Sequence, residues 1–284
     1  MSAQKRKVII TAAISGAEVT QEMNPNVPYT LEQYVREAKG AAQAGASIIH
    51  LHARFDDGTP TQDRERFRVL IDGIREACPE VIIQPSTGGA TGMSADERLQ
   101  PLEIDPEMAS LDAGTLNFGG DEIFVNTENM IIDFAARMQK RGVMPEIEVF
   151  DKSMIDMALR LHRKGKIVAP LHFNLVMGVN GGITGTPRDL EFLVHSLPDD
   201  ATFTVSGVGQ SQLSMNVMAM LIGGHVRVGF EDNLMMDRGV LADSNAQFVE
   251  RIVRIAHELN LEIATPSEAR EMLRIDEHKK LRSI

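Results

Sequence analysis

Short apolar, β-branched runs alternate with amphipathic stretches along most of the chain. The runs Val8–Ala12, Ile48–His52, Val81–Ser86, Met108–Leu116, Ile147–Phe150, Leu171–Val176, Thr202–Ser206 and Val226–Phe230 read as eight strands. Between them, Leu31–Ala44, Asp63–Ala77, Thr127–Arg141, Lys152–Lys164, Pro187–Ser196 and Gln212–Ile222 carry helical periodicity, and Ser244–Leu259 adds a last long helix. Gly45 is a natural stop for the first helix. Thr265-Pro266-Ser267-Glu268 reads as a capped start with proline in the first turn. Eight strands with intervening helices are what a TIM (β/α)8 barrel requires, here as a single domain over residues 1–284. A doubly wound sheet is the main competitor. It would place G-x-G-x-x-G after the first strand, which instead runs into Ala13-Ile14-Ser15-Gly16-Ala17-Glu18.

Composition narrows the class. The chain is 43% hydrophobic and 24% charged, the balance of an ordinary globular protein. No run of about 18 apolar residues occurs, so no membrane span is expected. Met1 to Lys7 is polar with no apolar signal core behind it, which predicts a cytoplasmic protein. The single cysteine, Cys78, excludes an internal disulfide framework and fits a reducing compartment. A net charge of −11 argues against a nucleic-acid partner while leaving room for a local basic mouth.

Candidate chemistry gathers at the C-terminal ends of the strands, where a barrel places its active site. His50 and His52 stand two apart at the end of the second strand and so share a face. They are half of a transition-metal site or, alternatively, two hydrogen-bonded core histidines. Arg227, Gly229 and Glu231 share a face of the eighth strand, and Asp232 begins its loop. The first and last strands of a closed barrel are neighbours, so Glu231 can reach the histidine pair and complete a three-ligand set. Zinc and non-haem iron both use such ligands; a structural Arg227–Glu231 ion pair is the alternative. Asp232 beside a metal-bound carbonyl could take a proton from the adjacent carbon, and Arg227 could hold developing negative charge. Glu148, two residues after Glu146, either faces the mouth or is solvated. Pro85-Ser86-Thr87-Gly88-Gly89-Ala90 offers hydroxyls and amides to an anion. The segment 178–185 is long enough to wall the mouth, and Gly207-Val208-Gly209-Gln210 follows the seventh strand, where barrels often bind phosphate.

Taken in order, TAAISGAEVT (11–20), IIHLHARFDDGTPTQ (48–62), QPSTGGATG (84–92), PEMASLDAGTLNFGGDEIF (106–124), PEIEVFD (145–151), GGHVRVGFEDN (223–233) and SNAQFVERIVRIAHEL (244–259) resemble the β-keto acid cleavage enzyme family nearly end to end. The resemblance implies a zinc-dependent TIM barrel, a homotetramer, and condensation of a β-keto acid with acetyl-CoA to give acetoacetate and a new acyl-CoA. By matching positions it implies His50, His52 and Glu231 as zinc ligands, Asp232 as the base, Arg227 as its partner, and Glu148 as a carboxylate near the metal. It further implies substrate contacts at Ser86 and Ser110 (threonine in the relatives), and Thr87 and Gly89 of the anion-binding loop and Asn117 at a strand end join them as candidate substrate contacts. Glu18 matches a carboxylate that receives an amino group, which points to 3-keto-5-aminohexanoate, an acid of lysine fermentation, with 3-aminobutyryl-CoA as second product. As a buried carboxylate, Glu18 would need a cationic partner. The loop 207–212 lacks the basic or aromatic residue expected on the CoA side, and 179–181 lacks the usual proline. Other readings are a β-keto acid such as dehydrocarnitine, a CoA-independent metal aldolase or hydrolase, and a non-catalytic binding barrel.

Overall fold

The protein is described by a computed structural model covering residues 5–282. Eight parallel strands form the inner sheet: β1 (Ile10–Ala13), β2 (Ile48–Leu51), β3 (Ile82–Pro85), β4 (Met108–Asp112), β5 (Met144–Val149), β6 (His172–Met177), β7 (Thr202–Gly207) and β8 (His225–Val228). Their ladders run β3-β2-β1-β8-β7-β6-β5-β4, so the first and last strands are neighbours, as expected. No ladder joins β3 to β4 among the described residues. There Thr87 closes the seam: its N–H donates to Ser110 Oγ at 2.9 Å and its hydroxyl to the Ser110 carbonyl at 2.7 Å. The result is a TIM barrel.

The outer layer consists of α1 (Leu31–Ala44), α2 (Arg64–Ala77), α3 (Glu128–Arg141), α4 (Lys152–Arg163), α5 (Pro187–Val194), α6 (Gln212–Ile222) and α7 (Asn245–Glu258). Side-chain caps set their starts. Thr30 and Gln33 form a capping box on α1, and Asp63, Thr127 and Ser244 cap α2, α3 and α7. The β3–β4 connection is reduced to a single short helix, Ala95–Arg98, and a 3₁₀ turn, Gln100–Ile104.

Four strand limits differ by two residues or more from those read in the sequence, and one of them is the start of β5, at Met144 rather than Ile147. Lys7–Val8 pairs with Glu262–Ile263 outside the barrel, leaving β1 to begin at Ile10. Strand β4 ends at Asp112 rather than Leu116. The Ala113 N–H makes the last bond to β5, at Glu148 O, and the chain then enters a separate hairpin, Leu116–Phe118 with Glu122–Phe124. Strand β8 ends at Val228 because Gly229 adopts φ +138°, with Ala13 O only 2.2 Å from where a Cβ would stand.

The barrel interior is apolar only at its lower end. Ile9, Ile48, Ile82, Met108 and Met144 pack there against Ala269, Leu273 and Ile275 of two C-terminal helices, α8 (Pro266–Leu273) and α9 (Ile275–Leu281). Above this plug, the strands bury polar side chains: Thr11, His50, Gln84, Ser110, Glu146, His172 and Thr204. Such groups are retained in an interior only when they are bonded to one another or to a ligand.

Candidate active site

The upper end of the barrel opens into a cavity of about 1060 Å³, with His52, Ser86, Asp112, Glu148, Arg227, Glu231 and Asp232 on its wall. Strand β2 delivers His50 and His52. The His52 carbonyl accepts from Ser15 Oγ and Tyr34 Oη, both at 2.8 Å, which anchors the strand end. His50 Nδ1 lies 2.8 Å from Gln84 Oε1 on the adjacent strand, where the two residues are register partners. The amide oxygen can only accept, so this bond holds the proton on Nδ1 and leaves the Nε2 lone pair free.

Glu231 enters from the β8 side. Its N–H donates to Ala13 O at 3.2 Å, and its side chain lies over Gly16, where a Cβ would come within 2.9 Å of Glu231 Cγ. His50 Nε2 is 3.3 Å from Glu231 Oε2, and His52 Nε2 is 3.5 Å from Glu231 Oε1. One ligand atom from each of the three residues lies within 4.8 Å of the others. A tetrahedral ion with ligands at roughly 2.0–2.1 Å separates its donor atoms by about 3.3 Å, so the set fits a transition metal. His50 Nε2 and Glu231 Oε2 are both buried without a hydrogen-bond partner, which further supports a ligand role. Burial pushes His50 down to about 4, so it is the neutral imidazole a metal needs. Burial opposes ionisation of Glu231, but Arg227 and the two histidines together hold its carboxyl far below the usual range.

Arg227 organises the remaining carboxylates. Its Nε and Nη2 grip Asp232 at 3.0 and 2.9 Å, Nη1 donates to Glu148 Oε1 at 3.0 Å, and Nη2 also contacts Glu231. Burial raises Asp232 to about 6 against the pull of Arg227. Glu148 is raised well above its ordinary value by burial, with Asp112 and Glu146 adding repulsion. The network continues round the wall, from Ser206 Oγ to Asn174 Oδ1 at 2.7 Å and from Asn174 Nδ2 to Glu148 Oε1 at 2.9 Å. A carboxylate of moderate basicity beside three residues that could hold a metal ion is suited to removing a carbon-bound proton.

His50, His52, Glu231, Asp232, Arg227 and Glu148 are thus brought together, and Glu148 is buried rather than solvated. Ser86 and Gly89 line the cavity, and Ser86 Oγ accepts from Gly88 N at 3.0 Å. Thr87 and Ser110 bond to each other in the barrel seam and do not line the cavity. Asn117 is exposed on the hairpin outside the lining, because β4 ends five residues earlier. Glu18 lines the rim but is exposed, not buried; the loop carrying it is held by the buried Arg54, which donates to the carbonyls of Gly16 and Val19. The Gly209 amide, a candidate phosphate donor, is committed to Asp232 O at 2.7 Å.

Three residues of the candidate site escaped the sequence reading: Gln84, Asp112 and Arg98. Gln84 looked like an ordinary strand residue, and only its register with His50 reveals its place. Asp112 is the cross-strand partner of Glu148, is buried, and pairs with Arg98 at 3.3 Å. Its parity with Ser110 was visible, but a strand read through to Leu116 hid it mid-element.

Comparison with known proteins agrees with this geometry. A family model described as beta-keto acid cleavage enzyme matches residues 7–275. A 3-keto-5-aminohexanoate cleavage enzyme of Acetoanaerobium sticklandii is 66% identical over 269 residues, covering 95% of this chain and 98% of the relative. A protein of the same name from Fusobacterium nucleatum is 62% identical, covering 94% and 97%. A 3-oxoadipate:acetyl-CoA acetyltransferase of Cupriavidus necator is 39% identical, covering 93% and 94%. The solved apo structure of ObcA shares the fold with a TM-score of 0.77 at 20% identity, over 88% of this chain and 65% of that one. With a family match over nearly all its described residues and relatives of this identity along its length, the chain belongs to the β-keto acid cleavage enzyme family.

Proposed function

We propose that this chain condenses 3-keto-5-aminohexanoate with acetyl-CoA in a zinc-dependent reaction, releasing acetoacetate and 3-aminobutyryl-CoA. The observation that carries the proposal is the convergence of one ligand atom each from His50, His52 and Glu231 within 4.8 Å, next to Asp232, a carboxyl gripped by Arg227. The 66% and 62% identical relatives named for this substrate support the choice of acid.

His50, His52 and Glu231 would hold the zinc, which when bound acts as a Lewis acid and makes the protons between the keto and carboxyl groups more acidic. Asp232 takes one of these protons. The carbanion attacks the thioester carbon of acetyl-CoA, forming a carbon–carbon bond as the CoA thiolate leaves. The thiolate then adds to the original keto carbon. The bond from that carbon to the former α-carbon breaks, and its electron pair stays with the acetoacetate fragment, to which Asp232 returns the proton. Arg227 stabilises negative charge through the sequence and keeps Asp232 in place. Glu18 at the rim meets no cation among the described residues, so it is free to receive the substrate ammonium. The reading extends to a cytoplasmic homotetramer; no helix among the described residues is long and apolar enough to cross a membrane.

The test is acetoacetate release by zinc-loaded protein given acetyl-CoA and 3-keto-5-aminohexanoate, with dehydrocarnitine alongside. Turnover that requires acetyl-CoA and prefers the amino acid supports the proposal. Preference for dehydrocarnitine changes the substrate but not the reaction. Turnover without acetyl-CoA replaces it with aldolase or hydrolase chemistry.

A further inference from the structure

We infer that Arg238 is the contact for the phosphate groups of the CoA co-substrate, an inference that rests on the acetyl-CoA reading above. Three arginines line the cavity among the described residues: Arg227, Arg238 and Arg251. Arg227 is committed on Nε, Nη1 and Nη2 to Asp232, Glu148 and Glu231. Arg251 donates to Met236 O at 2.6 Å and contacts Asp237 at 3.4 Å. Among the described residues, Arg238 has neither an ion pair nor a side-chain hydrogen bond. An anion entering this mouth therefore meets one uncommitted guanidinium.

Its placement is built into the fold. Met235–Asp237 and Val240–Leu241 form an antiparallel hairpin after β8, in which Asp237 pairs with Val240. Arg238 and Gly239 are the two residues between them, and Gly239 supplies φ +77° for the tight turn. Residues 233–238 all contribute to the cavity rim, so the tip projects along it. Arg251 ties the base of this hairpin to α7 through Met236 O, which limits where Arg238 can go.

The chemistry matches. The nucleotide end of CoA carries a diphosphate and a 3′-phosphate, and a planar guanidinium binds phosphate with paired, charge-assisted hydrogen bonds. The chain has a net charge of −11, so a polyanionic co-substrate needs a local cation at the entrance. The loop after β7 supplies none, since residues 207–212 read GVGQSQ. The acyl end must reach the metal-ligand group and Asp232, and the rim hairpin belongs to the same cavity, so both ends of one CoA molecule have a destination there.

The experiment compares the parent, Arg238→Ala and Arg238→Lys by CoA binding calorimetry, and by kcat/KM for acetyl-CoA and for S-acetylpantetheine, which lacks the phosphates. One charge-assisted contact corresponds to roughly a tenfold change. The expected result is CoA binding about tenfold weaker in Arg238→Ala, a similar fall in kcat/KM for acetyl-CoA, no fall for S-acetylpantetheine, and partial recovery in Arg238→Lys. Equal CoA affinity in parent and Arg238→Ala, or an equal loss with both thioesters, overturns the inference. If the parent binds CoA through Arg238 but releases no acetoacetate, the proposed reaction fails and the phosphate contact stands. A parent that binds no CoA removes both.

Discussion

Replacing Gln84 by leucine tests whether the barrel wall sets the tautomer of His50, the histidine proposed to bind the metal. Gln84 Oε1 is 2.8 Å from His50 Nδ1, and both residues are buried in the interior. The variant keeps similar volume but removes the acceptor. His50 then has two options. It can keep the proton on Nδ1 as a buried unsatisfied donor, at a cost of about 1–3 kcal/mol. Alternatively it can move the proton to Nε2, the nitrogen that faces Glu231, and block the ligand position. Either route weakens metal binding by about 5- to 150-fold on that range, and losses of outer partners of metal ligands typically fall between about 10- and 100-fold. The metal-free protein should respond differently. Gln84 Nε2 has no partner, so leucine also removes an unsatisfied buried donor, and urea stability in chelator should change by less than about 1 kcal/mol. The assays are zinc competition against a chromophoric chelator and urea unfolding of the metal-free form. A zinc Kd within twofold of the parent would refute the positioning argument. A large loss of metal-free stability with unchanged affinity would make Gln84 a packing residue.

Other perturbations separate the remaining roles. His50→Ala should lose metal and turnover together, measured by metal content after dialysis; full zinc occupancy would remove it from the ligand set. Asp232→Asn should keep the metal while α-proton exchange of the keto acid in D2O, followed by NMR, slows by about 10²- to 10⁴-fold; exchange at the parent rate would exclude it as the base. Glu18 is exposed, and exposed charge pairs contribute about 0.2–1 kcal/mol, so Glu18→Gln should raise KM for a cationic acid by at most about fivefold and leave a neutral β-keto acid unaffected. Equal effects on both would count against ammonium recognition. Burial, then His172 and Arg6, lowers His225 to about 3, so between about pH 6.5 and 3 the unfolded chain binds a proton that the folded chain does not. Stability should therefore fall with pH by about 1.4 kcal/mol per unit in that window, and His225→Gln should remove that slope; an unchanged slope in urea titrations would disprove the assignment.

The helices were readable because their ends are written in local chemistry. Leu31–Ala44 lies where it was read, between the Thr30 capping box and Gly45. The strand centres were equally plain, but their ends were not, since a strand buried on both faces has no polar alternation to mark where it leaves the sheet. That is why β4 was read four residues too long and Asp112 was missed. The proposed metal-ligand set was accessible because two of its members stand two apart on one strand, while Glu231 needed only the adjacency of the first and last strands. Gln84 and Arg98 were not accessible, because each acts through a contact distant in sequence whose register no local pattern encodes. Glu18 was placed at the correct end of β1, but whether a loop residue is buried depends on what covers it, and nothing in its own segment specifies that.

Charge accounting explains why such an interior holds together. Asp112, Glu148, Glu231 and Asp232 put four carboxyl groups on the cavity wall, and Arg98 and Arg227 are the guanidiniums bonded to them. Leaving the imidazoles aside, full ionisation would give an excess of two negative charges in a largely buried volume. Burial and mutual repulsion answer this by raising Asp112, Glu148 and Asp232, so that protons carry part of the load. A divalent cation among His50, His52 and Glu231 would cancel the same excess. The apolar plug below and the polar wall above then have separate roles: the lower layer stabilises the barrel by burial, while the upper layer is bonded within itself and leaves atoms such as His50 Nε2 and Glu231 Oε2 for a ligand.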